Sequence, residues 1–264
     1  MRRWPTRAIL LLAAIGANAP AAARSPFDGR WVAELDTQAG LATDVYLVAN
    51  GTYRCDSCRP PRAYPTDGRP HSVAGATDIV SEAVAIAGPR TIVTRIESPT
   101  LHRVTTMTVA ADDATATYVS DDRRPGVRGP LHSVYLARRT APAPAGAHPV
   151  SGSWQGVRYV SVPEQVRTTQ LHVDGNRLTY RHPLGYSFSA VFGGGFVPVR
   201  GPYKTPVFAA VRRLGARAIE ETRRSGDKIV LVRTYTLAAD GRSLTIASTE
   251  PGAGQTFRIT AHRK

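Results

Sequence analysis

The chain has 264 residues, 34 Lys and Arg against 20 Asp and Glu, and a net charge of +14. That length allows one large or two ordinary domains. Lysine appears only as Lys204, Lys228 and Lys264, so arginine carries the basic excess. No base-stacking aromatic motif accompanies the charge, and the sequence gives no reason to expect a nucleic-acid partner.

The N-terminus opens with Arg2, Arg3 and Arg7 before an apolar run from Ala8 to Ala17, and Ala21-Ala22-Ala23 follows. A basic region, a short apolar core and small residues at the exit predict a signal peptide cleaved after Ala23. The apolar run is half the ~20 residues a membrane-spanning helix needs. The expected location is the periplasm or the extracellular space, with no transmembrane segment after cleavage. In such an oxidising compartment, Cys55 and Cys58 are expected to form a disulfide closing a tight loop.

The mature sequence repeats itself. Gly29-Arg30-Trp31 opens one copy and Gly152-Ser153-Trp154 the other. Gly88 to Ile92 matches Gly215 to Ile219, and Val104 to Asp112 matches Val232 to Asp240. An offset that drifts only slightly is what small loop insertions leave in a duplicated domain. Residues 141–147, rich in Pro and Ala, read as a linker. The predicted organisation is a signal peptide over 1–23, one domain over 24–140, the linker, and a second domain over 148–264.

Each copy alternates apolar and polar residues and carries many Thr and Val, as strands do. Asn50-Gly51, Gly175-Asn176 and Asp240-Gly241 supply hairpin turns. Val207 to Arg224 has some helical character, but the matching segment of copy one contains Pro89 and then Thr91, Ile92 and Val93. Strand, turn and strand is therefore the expected reading. The predicted fold class is all-β: two tandem small antiparallel barrels, with an open sandwich as the alternative. Along Ile229 to Leu237, Arg233 falls on the otherwise apolar face.

The Gly-x-Trp openings resemble the first-strand motif of lipocalins. That resemblance implies that each Trp closes a barrel end beneath an Arg of the last strand: Trp31 with Arg138 or Arg139, and Trp154 with Arg263. The chain is more closely similar to exported bacterial proteins built from one or two lipocalin-like domains. The likeness runs through Gly51 to Pro61 and Thr236 to Thr245. It covers essentially the mature chain, and implies fold and export but no reaction.

Catalytic motifs are missing: there is no His-Glu-x-x-His, no Gly-x-Ser-x-Gly and no phosphate loop. The seven histidines form no ligand-spaced pair, and neither metal nor cofactor is expected. Adjacent acids such as Asp121-Asp122 and Glu220-Glu221 read as turn or surface residues. The second copy is the basic one, with 17 basic against 7 acidic residues from Ala147 onward. Arg212, Arg213, Arg217, Arg223 and Arg224 are candidates for contact with an anionic surface. Tyr180, Phe188, Phe208 and Tyr235 are candidates to line an apolar cavity. The leading expectation is a non-enzymatic exported protein that binds a small apolar molecule. The alternative is an envelope module that contacts anionic lipid or glycan through its Arg-rich second half.

Overall fold

The computed structural model describes residues 24–75, 79–203, 205–251 and 256–264. The expected signal peptide, 1–23, lies outside the described residues. The first copy contributes β1 (Gly29–Ala33), β2 (Thr43–Ala49), β3 (Thr52–Cys55), β4 (Arg62–Pro65), β5 (His71–Ser72), β6 (Ser81–Gly88), β7 (Thr91–Ser98), β8 (Leu101–Val109), β9 (Thr115–Arg123) and β10 (Leu131–Ala141). The second contributes β11 (Gly152–Ser161), β12 (Thr168–Asp174), β13 (Arg177–Arg181), β14 (Ser187–Val191), β15 (Val197–Pro198), β16 (Phe208–Gly215), β17 (Ala218–Ser225), β18 (Lys228–Leu237), β19 (Ser243–Thr249) and β20 (Thr256–Arg263). A 3-10 turn at Leu35–Thr37 is the only helical element among the described residues. The segment with helical character is the β16–β17 hairpin, as the repeat predicts.

The strands form two ten-stranded antiparallel sheets that curl into nearly closed barrels. One runs β4-β3-β2-β11-β10-β9-β8-β7-β6-β5 and the other β14-β13-β12-β1-β20-β19-β18-β17-β16-β15. Isolated bridges bring the sheet ends together, Asp67 to Ala85 in the first, and Ser187 to Arg200 and Phe192 to Val211 in the second. Joining the edges removes most of the open backbone groups that would invite pairing with other chains.

The two sheets have the same order, with one exchange. β1 is not in the barrel of its own copy. It pairs with β12 and β20, while β11 pairs with β2 and β10. The spans 24–140 and 148–264 expected for the domains therefore each cover nine strands of a barrel and lend the tenth to the other. Residues 141–147 link β10 to β11, which are neighbours in one barrel, so they do not separate the barrels. The chain passes between barrels at 34–42 and again at 162–167. The second crossing ends beside the start of the first, since Arg167 Nη1 donates to the carbonyl of Ala33, the last residue of β1, at 2.6 Å.

The exchange redirects the Trp–Arg pairing. Trp31 lies opposite Arg263 and Trp154 opposite Arg139, so each Trp meets the last strand of the other copy. The guanidinium carbons sit 4.8 Å and 4.0 Å from the indole centroids, in cation–π contact. Arg138, the candidate named with Trp31, is exposed, while its neighbour Arg139 turns inward onto Trp154. Both Trp residues are fully buried, and each indole N–H donates to the carbonyl four residues back, Phe27 or Val150, at 2.9 Å. Gly152 has φ +112°, and a Cβ there would lie 2.4 Å from the Ala141 carbonyl oxygen. The motif thus needs glycine to let the first strand enter beside the last.

Candidate functional site

Period-2 alternation sends every second residue of each strand into a barrel. Near the Trp ends these residues are apolar and packed: Val48, Val109, Ala116 and Trp154 in one barrel, Leu237, Leu244, Ala261 and Trp31 in the other. Toward the opposite ends the inward residues become polar and the packing opens. The open ends meet at the two crossings, and a single cavity of about 1000 Å³ extends from one barrel interior into the other. Leu41, Val162 and Pro163 of the crossings line its waist.

The first barrel's share is tyrosine-rich. Tyr46, Tyr53, Tyr118, Tyr135 and Tyr159 line it, with successive ring contacts at 5.8 Å (Tyr46–Tyr53), 5.4 Å (Tyr118–Tyr135) and 4.9 Å (Tyr135–Tyr159). Burial raises all five phenols above the usual tyrosine range, so they remain protonated hydrogen-bonding groups. Among them lies Asp44. Burial pushes its carboxyl up to about 6, against a hydrogen bond with Tyr46 that favours the charged form. Arg62 and Glu82 form a buried ion pair beside Tyr53. At the open end, Arg103 grips Asp122 with two bonds of 2.6 and 2.7 Å, and Arg124 approaches Asp122 at 3.4 Å.

The second barrel's share is richer in arginine. Glu221 is fully buried, paired with Arg223, and accepts a 2.6 Å bond from the Tyr235 hydroxyl; Arg233 is 4.0 Å away. Arg223 also donates to Tyr203 at 2.8 Å and lies 5.1 Å from the Tyr180 ring. Arg233 donates to Ser248 at 3.0 Å. His182 stands at the rim, with Nε2 donating to the Val166 carbonyl and Nδ1 accepting from the Leu184 amide. Burial brings its pKa down to about 4; the Arg233, Arg223 and Arg124 charges push the same way, against the Val166 bond.

The expected site residues are distributed differently from the sequence reading. Of the four cavity candidates, Tyr180 lines the cavity. Phe188 stacks behind it at 5.2 Å, Tyr235 is wholly buried against Glu221, and Phe208 faces Arg224 on the outside of the sheet. Of the five arginines grouped for an anionic surface, Arg223 points into the barrel. Arg212, Arg213 and Arg217 are exposed, Arg212 in a pair with Glu220, and Arg224 is half-buried between Phe196 and Phe208. Glu221 and Asp122, read as surface acids, are buried. The visible clue to the interior cluster was Arg233, the one charge on an apolar face.

Cys55 and Cys58 form the expected disulfide, with their Cα atoms 5.4 Å apart. Among the described residues no set of three or more His, Cys, Asp or Glu is placed to hold a metal. No described helix is long and apolar enough to cross a membrane. No protein family, curated protein or solved structure matches the chain.

Proposed function

We propose that the protein is a non-enzymatic binder of a small organic molecule, which it takes into the cavity shared by its two barrels. The observation that carries this reading is the cavity itself. Small barrels ordinarily fill themselves with side chains, whereas about 1000 Å³ stays open here, the upper end of the range for ligand sites. Its walls combine tyrosine rings with fixed polar and charged groups that can orient a ligand, and are more polar than those of most such sites. The polar lining revises the apolar ligand expected from sequence to one with an aromatic or apolar body and some polar groups. Export and kinship with the lipocalin-like proteins belong to the same proposal. They are supported by the N-terminal leader pattern and by the Gly-x-Trp openings of two barrels.

Fluorescence titration with N-phenyl-1-naphthylamine, a neutral aromatic probe, tests it. The intact protein should bind the probe with micromolar affinity. Thr105→Trp, which fills the first barrel, should weaken binding about tenfold, and the outward-facing Thr106→Trp should not. Absence of binding, or equal binding by both variants, would refute the cavity reading.

A further inference from the structure

We infer that the middle of the shared cavity is an anion receptor, and that the ligand carries a carboxylate, sulfonate or phosphate group held by Arg124, Arg167, Arg223 and Arg233. This inference rests on the cavity reading and adds the chemical class of what is bound. Arg124 comes from the first barrel, Arg167 from a crossing, and Arg223 and Arg233 from the second barrel, and all four line the cavity.

Their charges are under-compensated. Asp122 is already engaged by both donors of Arg103. Glu221 serves Arg223, with Arg233 4.0 Å off. Glu250 is exposed at the rim. Arg124 Nε, Arg167 Nε and Arg223 Nη2 are each buried without a hydrogen-bond partner. His182 beside them stays neutral at physiological pH and adds no balancing charge. Buried guanidiniums are costly without a counter-charge and satisfied N–H groups, and an oxyanion with several acceptor oxygens supplies both.

The duplication shows that the scaffold does not need these charges. The β17–β18 pairs Glu221–Arg233 and Ile219–Tyr235 match the β7–β8 pairs Thr94–Thr105 and Ile92–Met107 of the first barrel. Arg223 likewise matches Ile96. The same barrel therefore stands with Thr, Thr and Ile where the second carries Glu, Arg and Arg. The aromatic neighbours Tyr180, Tyr186 and Tyr203 offer ring faces to the rest of the ligand. An aromatic or long-chain acid meets this description, with its acid group at the waist and its body in either barrel.

The test uses the intact protein and two probes that differ by one group: 8-anilinonaphthalene-1-sulfonate and its neutral counterpart N-phenyl-1-naphthylamine. The sulfonate should bind at least about tenfold more tightly at low salt. Arg124→Gln and Arg233→Gln should each remove most of that advantage and leave the neutral probe's affinity within about twofold. Circular dichroism identifies any variant that does not fold; Arg124→Gln, held by two long bonds of 3.3 and 3.4 Å, keeps the test open if Arg233→Gln fails. Arg212→Gln, on the outer surface, should change neither. If the neutral probe binds and the sulfonate gains nothing, or keeps its advantage in Arg124→Gln, the anion receptor is refuted while the cavity reading stands. If neither probe binds, the cavity reading itself falls.

Discussion

Asp44 and His182 sit in opposite halves of the cavity and shift in opposite senses. Asp44 moves from 3.8 up to about 6 because burial disfavours its charge. An acid with a raised folded pKa holds more protons folded than unfolded, so its contribution to stability is lost as pH rises from about 4 to 6. The displacement corresponds to up to about 3 kcal/mol. His182 moves from 6.5 down to about 4, so the unfolded chain binds the extra proton and stability rises over nearly the same window. The two slopes oppose each other. Stability of the wild type should be nearly level between pH 4 and 6 as far as these groups set it. Asp44→Asn should expose a rising slope and stabilise the neutral-pH protein, and His182→Asn should expose a falling one. Urea midpoints measured across that range decide the matter. Glu221 makes the sharper residue-scale prediction: replacing it with Gln leaves Arg223 and Arg233 buried without a counter-charge. The expected loss is about 3–5 kcal/mol, against less than about 1 kcal/mol for Thr94→Val at the matching place in the first barrel.

Each first strand is fixed by its Gly-x-Trp corner, and the energetics of that corner are local. Arg139 covers Trp154 and also donates to the carbonyls of Asp113, Pro149 and Ser151. Arg139→Met should cost about 2–4 kcal/mol by thermal or urea unfolding. Arg138→Met, one residue away and exposed, should stay within about 0.5 kcal/mol. The strands themselves were readable from sequence because alternation and turn residues are local signals. Asn50 and Gly51 do take the positive φ values, 49° and 71°, that an Asn-Gly hairpin demands. Partner choice was not readable. β1 and β11 present the same motif, and nothing in the periodicity says which of them lies between a given second strand and tenth. The interior charges were half readable. Arg233 broke an apolar face and could have been followed to its cross-strand partner Glu221, but Glu221 stood beside Glu220 and resembled a surface pair.

At the scale of the molecule, the exchange makes the halves interdependent. Residues 24–147 alone would leave one barrel without its strand between β2 and β10, and residues 148–264 would have the matching gap. Each piece expressed alone should be insoluble or form dimers that restore the exchange, whereas the two coexpressed should assemble into a particle of the native mass. Cleaving the chain within 142–147 should leave the pieces bound to each other on native gels until denaturant is added. Size-exclusion chromatography with light scattering distinguishes these outcomes from two autonomous domains, which would separate.

The pairing of Trp31 with Arg263 also imposes an order in time. β1 is among the first strands to be synthesised, and its place lies between β12 and β20, the latter made last. The first barrel can close once residue 161 is available, whereas β1 finds its first partner, β12, only when residue 174 is available and its second, β20, some 80 residues later. Such long-range closure is slow and leaves a strand exposed to other chains meanwhile. Refolding should therefore show two phases, an earlier one reported by Trp154 and a later one reported by Trp31, and the yield should fall as protein concentration rises. A tandem array would ordinarily let each unit mature as it emerges; here the strand made first is locked in place only by the twentieth.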